Sequence, residues 1–365
     1  MRVGILGGGQ LGRMLALAGH PLGLECVVLE PNPEAPARPV SVQLVAAYDD
    51  AEALAELAAR VDVVTYEFEN VPVAAARFLA ERVAVRPPPA ALEVAQDRLA
   101  EKTCFQRLGI PTPPFVPVHT RADLEEAVAR VGLPAVLKTR RLGYDGKGQR
   151  VLREAGDVEA AWAALGGAPL ILEGFVPFGR EVSILAVRAQ DGTCAFYPLV
   201  ENRHEAGILR LSRAPAPDTP PELQEAAEVY ARRVLEALEY VGVLAIEFFQ
   251  VDGRLVANEM APRVHNSGHW TIEGAETSQF ENHLRAVAGL PLGSTAPRGV
   301  SAMLNLIGQV PEPAAVLRVP GAHLHLYGKT PRPGRKLGHV TVCADDTATL
   351  EARLAALRAE GVAEP

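Results

Sequence analysis

The chain reads as an α/β domain followed by α+β segments, and three observations predict that class. An amino-terminal strand at residues 2–6 enters Gly7-x-Gly9-x-x-Gly12 and then a helix, the opening of a parallel-sheet unit. The run Arg86-Pro87-Pro88-Pro89 then interrupts the chain, because proline continues neither a helix nor a ladder. Beyond it, the strands expected at 242–250 and 254–260 flank Asp252-Gly253, a hairpin signal that makes that sheet antiparallel. A chain of 365 residues exceeds one ordinary core, since cores stop growing near ~250–300 residues, so two or three domains are expected.

Composition narrows the function. A hydrophobic fraction of 48% with 22% charged residues describes a globular chain, and no apolar run reaches the ~18 residues of a membrane span. The amino terminus leads directly into a strand, so a cytoplasmic protein with no membrane partner is expected. A net charge of −8 argues against nucleic acid as a partner. Cys26, Cys104, Cys194 and Cys343 form no C-x-x-C pair and read as buried, reduced thiols. The five lysines are Lys102, Lys138, Lys147, Lys329 and Lys336; in an arginine-rich chain, lysine marks a place for a compact point charge. Lys102 reads as a solvated helix residue.

In the first domain, strands are expected at 2–6, 24–30, 40–46, 61–66 and 82–86, with helices to about Gly19 and near 51–60 and 72–81. Glu30 ends the second strand where a dinucleotide ribose would lie, so these residues alone favour an NAD-dependent enzyme, with a ligand-independent glycine turn as the alternative. The cluster Tyr66-Glu67-Phe68-Glu69-Asn70 sits at a strand's carboxyl end, either facing ligand or forming a solvated loop.

The next region opens with helices at 97–108 and 121–131, then a strand at 135–139 carrying Lys138. Gly143-Tyr144-Asp145-Gly146-Lys147-Gly148-Gln149 follows as a glycine-rich flap whose amides can fold over phosphates, or as a hairpin without ligand. The apolar strand ending at Glu173 and leading into Gly174-Phe175-Val176 suits an adenine ring read by main-chain groups, and Glu181 suits ribose hydroxyls. Strands are expected near 181–189, 194–200 and 208–213, with His204 between the last two, then a helix at 221–239.

The densest polar stretch is NEMAPRVHNSGHW at 258–270, where charged and amide groups alternate with apolar ones and therefore need internal or ligand partners. Glu247 and Glu259 lie on the paired strands and would hold Mg²⁺ against a nucleotide triphosphate. A tight two-residue turn pairs Glu247 with Asn258 and leaves Glu259 on the other face, so this site requires a bulge or a long side-chain reach.

Lys138, GYDGKGQ (143–149), ILEGFV (171–176), Glu181, the Glu247/Asn258-Glu259 pair and NEMAPRVHNSGHW together resemble the ATP-grasp superfamily. With GGGQLGRM (7–14), YPLVENRHEAGILR (197–210) and RPGRKLGH (332–339), the chain resembles the N5-carboxyaminoimidazole ribonucleotide synthetase family over essentially its whole length. The resemblance implies an ATP-grasp fold at 96–295 with a lid at about 112–178. It also implies a Rossmann-like amino-terminal domain at 1–95 and a small carboxy-terminal domain at 296–365 that shapes the substrate site.

It further implies ATP with Mg²⁺, Mn²⁺ being a substitute, and carboxylation of 5-aminoimidazole ribonucleotide by bicarbonate through carboxyphosphate, in a cytoplasmic homodimer. Under it Arg98 and Lys138 hold phosphates beneath the flap from Gly143 to Gln149, with Lys138 also catalytic. Glu173, Gly174, Phe175 and Val176 take adenine. Glu181, His204, Asn258 and Glu259 contact the nucleotide, and Glu247 and Glu259 bind the metal. Arg263, His265 and Asn266 neutralise bicarbonate and its phosphate ester, a task for forked donors. Tyr144 and Asp145 meet the aminoimidazole, with Asp145 catalytic, while Gln10, Lys329, Arg332, Arg335 and Lys336 hold the ribonucleotide; without the resemblance the last four read as a solvated basic turn. The glycine fingerprint then belongs to the ribonucleotide pocket and implies no NAD. The alternatives are another ATP-grasp ligase, such as a formate-dependent glycinamide ribonucleotide transformylase, and an NAD-dependent dehydrogenase.

Overall fold

The computed structural model describes residues 1–143 and 146–362. Five short strands open the chain: β1 (Arg2–Leu6), β2 (Glu25–Leu29), β3 (Val42–Leu44), β4 (Val63–Tyr66) and β5 (Ala84–Val85). They form a parallel sheet in the order β3-β2-β1-β4-β5. Val3, Ile5, Leu6, Val63, Val64 and Tyr66 are fully buried, which accounts for runs that are apolar without alternation, as expected for a sheet covered on both faces. Asp50 caps the helix Ala51–Arg60 by accepting from the N–H groups of Glu52 and Ala53.

A second, four-stranded antiparallel sheet contains β6 (Phe115–Val118), β7 (Ala135–Thr139), β8 (Gln149–Leu152) and β9 (Leu170–Gly174), in the order β6-β9-β7-β8. The helices Arg121–Val131 and Asp157–Leu165 bury Leu124, Ala127, Val158 and Ala161 against it. The first of these starts at a capping box between Thr120 and Asp123.

The third sheet has nine antiparallel strands: β10 (Arg180–Arg188), β11 (Cys194–Phe196), β12 (Val200–Glu205), β13 (Ile208–Ala214), β14 (Gly242–Val251), β15 (Arg254–Ala261), β16 (Val300–Ile307), β17 (Ala322–Leu326) and β18 (Lys336–Ala344). Its main path is β15-β14-β10-β12-β13-β16-β18-β17, with β11 on β10. The carboxy-terminal strands thus extend the central sheet, because β13 pairs with β16 from Leu211↔Leu304 to Ala214↔Ser301. The helix Pro221–Ala237 packs Leu223, Ala227, Ala231, Val234 and Leu235 into the core beneath β10 and β14.

Three expectations are corrected. The single strand at 194–200 divides into β11 and β12, so His204 lies within β12 rather than in a connection. Of the four free thiols only Cys26 is buried. Lys102 is not solvated: it is 0% exposed, its Nζ donates to the Asn258 carbonyl at 2.7 Å, and it lies 3.2 Å from Glu173 Oε2. The same carboxylate oxygen accepts from Lys138 Nζ at 2.9 Å, so one glutamate on β9 balances two buried lysines and ties the four-stranded sheet to the large one.

Removing one member of a buried charge cluster strands the others. Lys102→Met, which keeps the stem and deletes the charge, is expected to lower the unfolding free energy by about 3 kcal/mol. Urea denaturation of the two proteins measures this, and a loss below ~1 kcal/mol, a surface-pair value, would show that Lys138 alone satisfies Glu173.

Candidate active site

The two metal-site candidates meet through an irregularity in the hairpin. From Val251↔Arg254 to Phe248↔Ala257 the pairing of β14 with β15 follows the tight turn, and a bulge between Glu247 and Phe248 then shifts it so that Glu247 faces Glu259. On its other side Glu247 is opposite Ser183 of β10. Burial alone would push the Glu247 carboxyl up, but the hydrogen bond and charge of His265 hold it down at about 2. His265 Nε2 lies 3.0 Å from Glu247 Oε1, and Arg98 Nη1 lies 2.7 Å from Glu259 Oε2.

The orientation of His265 is set from behind by a directional chain of buried groups. Ser212 Oγ donates to Asn202 Oδ1 at 2.7 Å, Asn202 Nδ2 to Ser183 Oγ at 2.8 Å, and Ser183 Oγ to Ser267 Oγ at 2.8 Å. Ser267 Oγ is then 2.8 Å from His265 Nδ1, which also accepts the Ser267 N–H. With Nδ1 facing the Ser267 hydroxyl and amide, the ring turns Nε2 toward Glu247. Each hydroxyl and amide in this chain is satisfied in one sense only, which makes the arrangement rigid.

The four-stranded sheet brings in the cations. Lys138 on β7 is 8% exposed and, like Lys102, is held by Glu173, whose carboxyl would be raised by burial but is held at about 2 by Lys138 and Lys102. Arg98 begins the helix Arg98–Arg107, capped by Asp97, which also accepts from Arg140 at 3.0 and 2.7 Å. Gly143 approaches Arg98 closely enough that an added Cβ would be 3.3 Å from its Nη2. Gly146 and Gly148 have φ of +74° and +72°, and a Cβ on Gly148 would meet Thr139 Oγ1 at 2.5 Å, so the flap's return toward Gln149 on β8 requires glycine there. Tyr144 and Asp145 lie outside the described residues.

Below the flap, Gly174 N–H donates to the Pro114 carbonyl at 2.8 Å and Phe175 N–H to the Pro134 carbonyl at 3.1 Å. Those two amides are spent on the framework, and the Glu173 carboxylate beside them has a buried Oε1 without a partner. Glu181 and His204 stand together, His204 Nδ1 being 2.6 Å from Glu181 Oε2. Asn258, next to Glu259, has a buried Oδ1 without a partner.

Arg263 and Asn266 have partners that sequence reasoning did not assign to them. Arg263 Nε donates to Glu69 Oε2, and its charge holds the half-buried Glu69 carboxyl at about 2 although desolvation alone would raise it. Asn266 and Asn305 exchange amide bonds of 3.0 and 2.7 Å. Asn305, an isolated amide in the apolar strand β16, was the available signal. At the far end, Lys329 Nζ donates to Gln10 Oε1. Burial and the charges of Arg335, Lys336 and Arg332 push Lys329 down to about 8, against the attraction of Glu67. The basic segment 329–336 therefore gathers over the glycine loop, and an anion would relieve its repulsion.

Comparison with known proteins gives this geometry a family. Residues 1–96 match the ribonucleotide synthetase preATP-grasp domain, 103–280 the ATP-grasp domain and 301–353 the phosphoribosylaminoimidazole carboxylase C-terminal domain. An N5-carboxyaminoimidazole ribonucleotide synthase from Pseudomonas aeruginosa is 60% identical over 98% of this chain and 99% of the relative. The chain belongs to the N5-carboxyaminoimidazole ribonucleotide synthase family. The crystal structure of the synthetase from Thermus thermophilus superposes with a TM-score of 0.95 at 64% identity, covering 98% of each chain. A synthase from Aspergillus clavatus in complex with ADP and 5-aminoimidazole ribonucleotide superposes with a TM-score of 0.91 at 33% identity, again over 98% of each chain. The ATP-grasp fold with its preceding and following domains is therefore the one expected from the motifs, and the chain is an ATP-dependent ligase.

The depressed carboxyls make stability depend on acid. Glu69 and Glu173 fall from an ordinary 4.5 to about 2, so their contribution is full above pH 4.5 and is lost as pH falls through 2. The unfolding free energy is expected to decline steadily between those limits, and Glu69→Gln should make that decline shallower. Denaturant titrations across the window test this; an unaltered slope in the variant would remove Glu69 from the account.

Proposed function

We propose that this chain carboxylates 5-aminoimidazole ribonucleotide with bicarbonate at the expense of ATP, giving N5-carboxyaminoimidazole ribonucleotide, ADP and phosphate in purine biosynthesis. The observation that carries it is the bulged pairing of Glu247 with Glu259, beside Arg263 and His265, in a chain whose full length matches the synthase family.

In this reading a bicarbonate oxygen attacks the γ-phosphorus of ATP, the bond to the β-phosphate oxygen breaks, and ADP leaves. The substrate amine then attacks the carbonyl carbon of carboxyphosphate, or the CO₂ it releases. The carbonyl C–O bond to phosphate breaks with its electron pair on phosphate, either as the N–C bond forms or beforehand to release CO₂, and the proton lost by the amine passes to the departing phosphate. Arg98 and Lys138 hold phosphates, and the backbone of Glu173, Gly174, Phe175 and Val176 meets adenine. Glu181 and His204 take the ribose side. Arg263, His265 and Asn266 surround bicarbonate, whose developing charge suits a fork of fixed donors. Lys329, Arg332, Arg335 and Lys336 take the ribonucleotide phosphate, Gln10 contacts the same substrate, and Asp145 and Tyr144 meet the aminoimidazole. Carboxyphosphate hydrolyses readily, so the flap at 143–149 acts as a lid that keeps water out.

Two hard carboxylates on directly opposed residues fit a divalent cation of this kind. Glu247 and Glu259 would hold Mg²⁺, or Mn²⁺ in its place, supplying charge neutralisation at the transferred phosphate. A cytoplasmic homodimer is part of the same reading.

The dehydrogenase alternative loses support because the loop amides of Gly8, Gly9 and Gly12 already donate to Glu30 and Glu67. The transformylase alternative is separated by assay: ADP release with 5-aminoimidazole ribonucleotide plus bicarbonate supports the proposal, and release with glycinamide ribonucleotide plus formate instead overturns it.

Glu247→Gln and Glu259→Gln are each expected to lower turnover by at least ~10²-fold, with partial recovery at raised Mg²⁺, since each removes one hard anionic ligand. Near-normal rates for both at low Mg²⁺ would sink the metal assignment. Lys336→Ala should raise KM for the ribonucleotide by about ten- to a hundredfold, the equivalent of a charge-assisted contact of roughly 1.5–3 kcal/mol, and leave KM for ATP within about twofold. Substrate titrations at saturating bicarbonate check this, and a rise in the ATP constant alone would move the segment to the nucleotide.

A further inference from the structure

The glycine fingerprint of this chain has an internal occupant. Glu67, at the carboxyl end of β4 and 7% exposed, accepts the N–H of Gly9 with Oε1 and that of Gly12 with Oε2, the latter at 2.5 Å. In a dinucleotide-binding loop those amides and the helix behind them receive a pyrophosphate. Two of the three glycines are also residues whose side chains the Glu67 side chain would exclude. A Cβ on Gly7 would come within 2.4 Å of Glu67 Cγ and one on Gly9 within 2.5 Å of Oε1, while one on Gly12 would meet the Gly7 carbonyl at 2.8 Å before Glu67 Oε2 at 3.2 Å. The remaining loop amide, Gly8 N–H, donates to Glu30 Oε2 at 3.0 Å, and that oxygen also accepts from Tyr48. Between Gly9 and Gly12 stands Gln10, whose side chain receives Lys329 of the basic segment, and the charge of Glu67 attracts that lysine.

We propose that Glu67 is a positioning residue: its carboxylate fills the loop's anion cradle from inside and so holds Gln10 and Lys329 at the ribonucleotide pocket. The fingerprint serves an intramolecular anion, and the external phosphate is displaced outward to the basic segment. The positioning role rests on the ribonucleotide reading above; the filled cradle does not.

The test uses the full-length protein with Glu67→Ala, measured in sodium acetate and in sodium chloride of equal ionic strength. Acetate restores a carboxylate to the emptied cradle, so it should raise the Tm of the variant and leave that of the parent unchanged. KM for 5-aminoimidazole ribonucleotide should rise by about tenfold or more in chloride and fall back in acetate, while KM for ATP stays within about twofold. An unchanged ribonucleotide KM, or a rise that acetate does not reverse, overturns the positioning role. A variant Tm indifferent to acetate overturns the filled cradle. Where the alanine variant does not fold, Glu67→Gln replaces it: the ribonucleotide KM should rise about fivefold with the ATP constant unmoved, Glu67→Asp should recover part of the loss, and an unaltered KM in Glu67→Gln overturns the proposal. If the parent protein fails to turn over the ribonucleotide, the functional reading fails, and the acetate melting result still decides the cradle by itself.

Discussion

One extra residue in a hairpin decides where the site's charges stand. Without the bulge after Glu247, strict pairing from the Asp252-Gly253 turn would set Glu247 across from Asn258 and send Glu259 to the opposite face. With it, Ser183, Glu247 and Glu259 form a row across β10, β14 and β15. Ser183 is then in place to pass its hydrogen bond to Ser267, and Ser267 orients His265 toward Glu247. The facing of the two metal candidates is thus the consequence of a single register shift, and the regular β10–β14 pairing adds Ser183 to the same row.

Around that row the protein neutralises itself. Glu173 holds Lys102 and Lys138, Glu259 holds Arg98, Glu69 holds Arg263, and Glu181 holds His204. Burying a lone cation costs several kcal/mol, and each of these cations stands against a carboxylate of the chain. The basic segment over the glycine loop differs, because there the cations crowd one another and Lys329 is pushed down toward neutrality.

Sheet continuity joins these halves. Because β16 adds to β13, Asn305 reaches Asn266, and because β18 and β17 follow, the segment between them lies over the first domain's glycine loop. A separately docked carboxy-terminal domain would leave both contacts to a flexible interface. Hydrogen bonds along the strands make the placement part of the main core.

The sequence by itself determined the parallel first sheet, the flap glycines, the hairpin at Asp252-Gly253 and the family, because glycine and proline punctuation, strand alternation and the run NEMAPRVHNSGHW are local signals. It also showed that regular pairing from that turn would not bring Glu247 and Glu259 together, and the fold supplies the bulge that does. Tertiary structure alone decided which groups face one another across long separations. Lys102 reads as a surface residue from its helix, yet Glu173 and the Asn258 carbonyl enclose it. Glu67 and Glu69 lie in a strand-end cluster that fits solvent or ligand equally well, and only the packed fold commits them to the glycine loop and to Arg263. The physical reason is that propensity and periodicity act within one element, whereas the partner of a buried charge is fixed by which elements close over it.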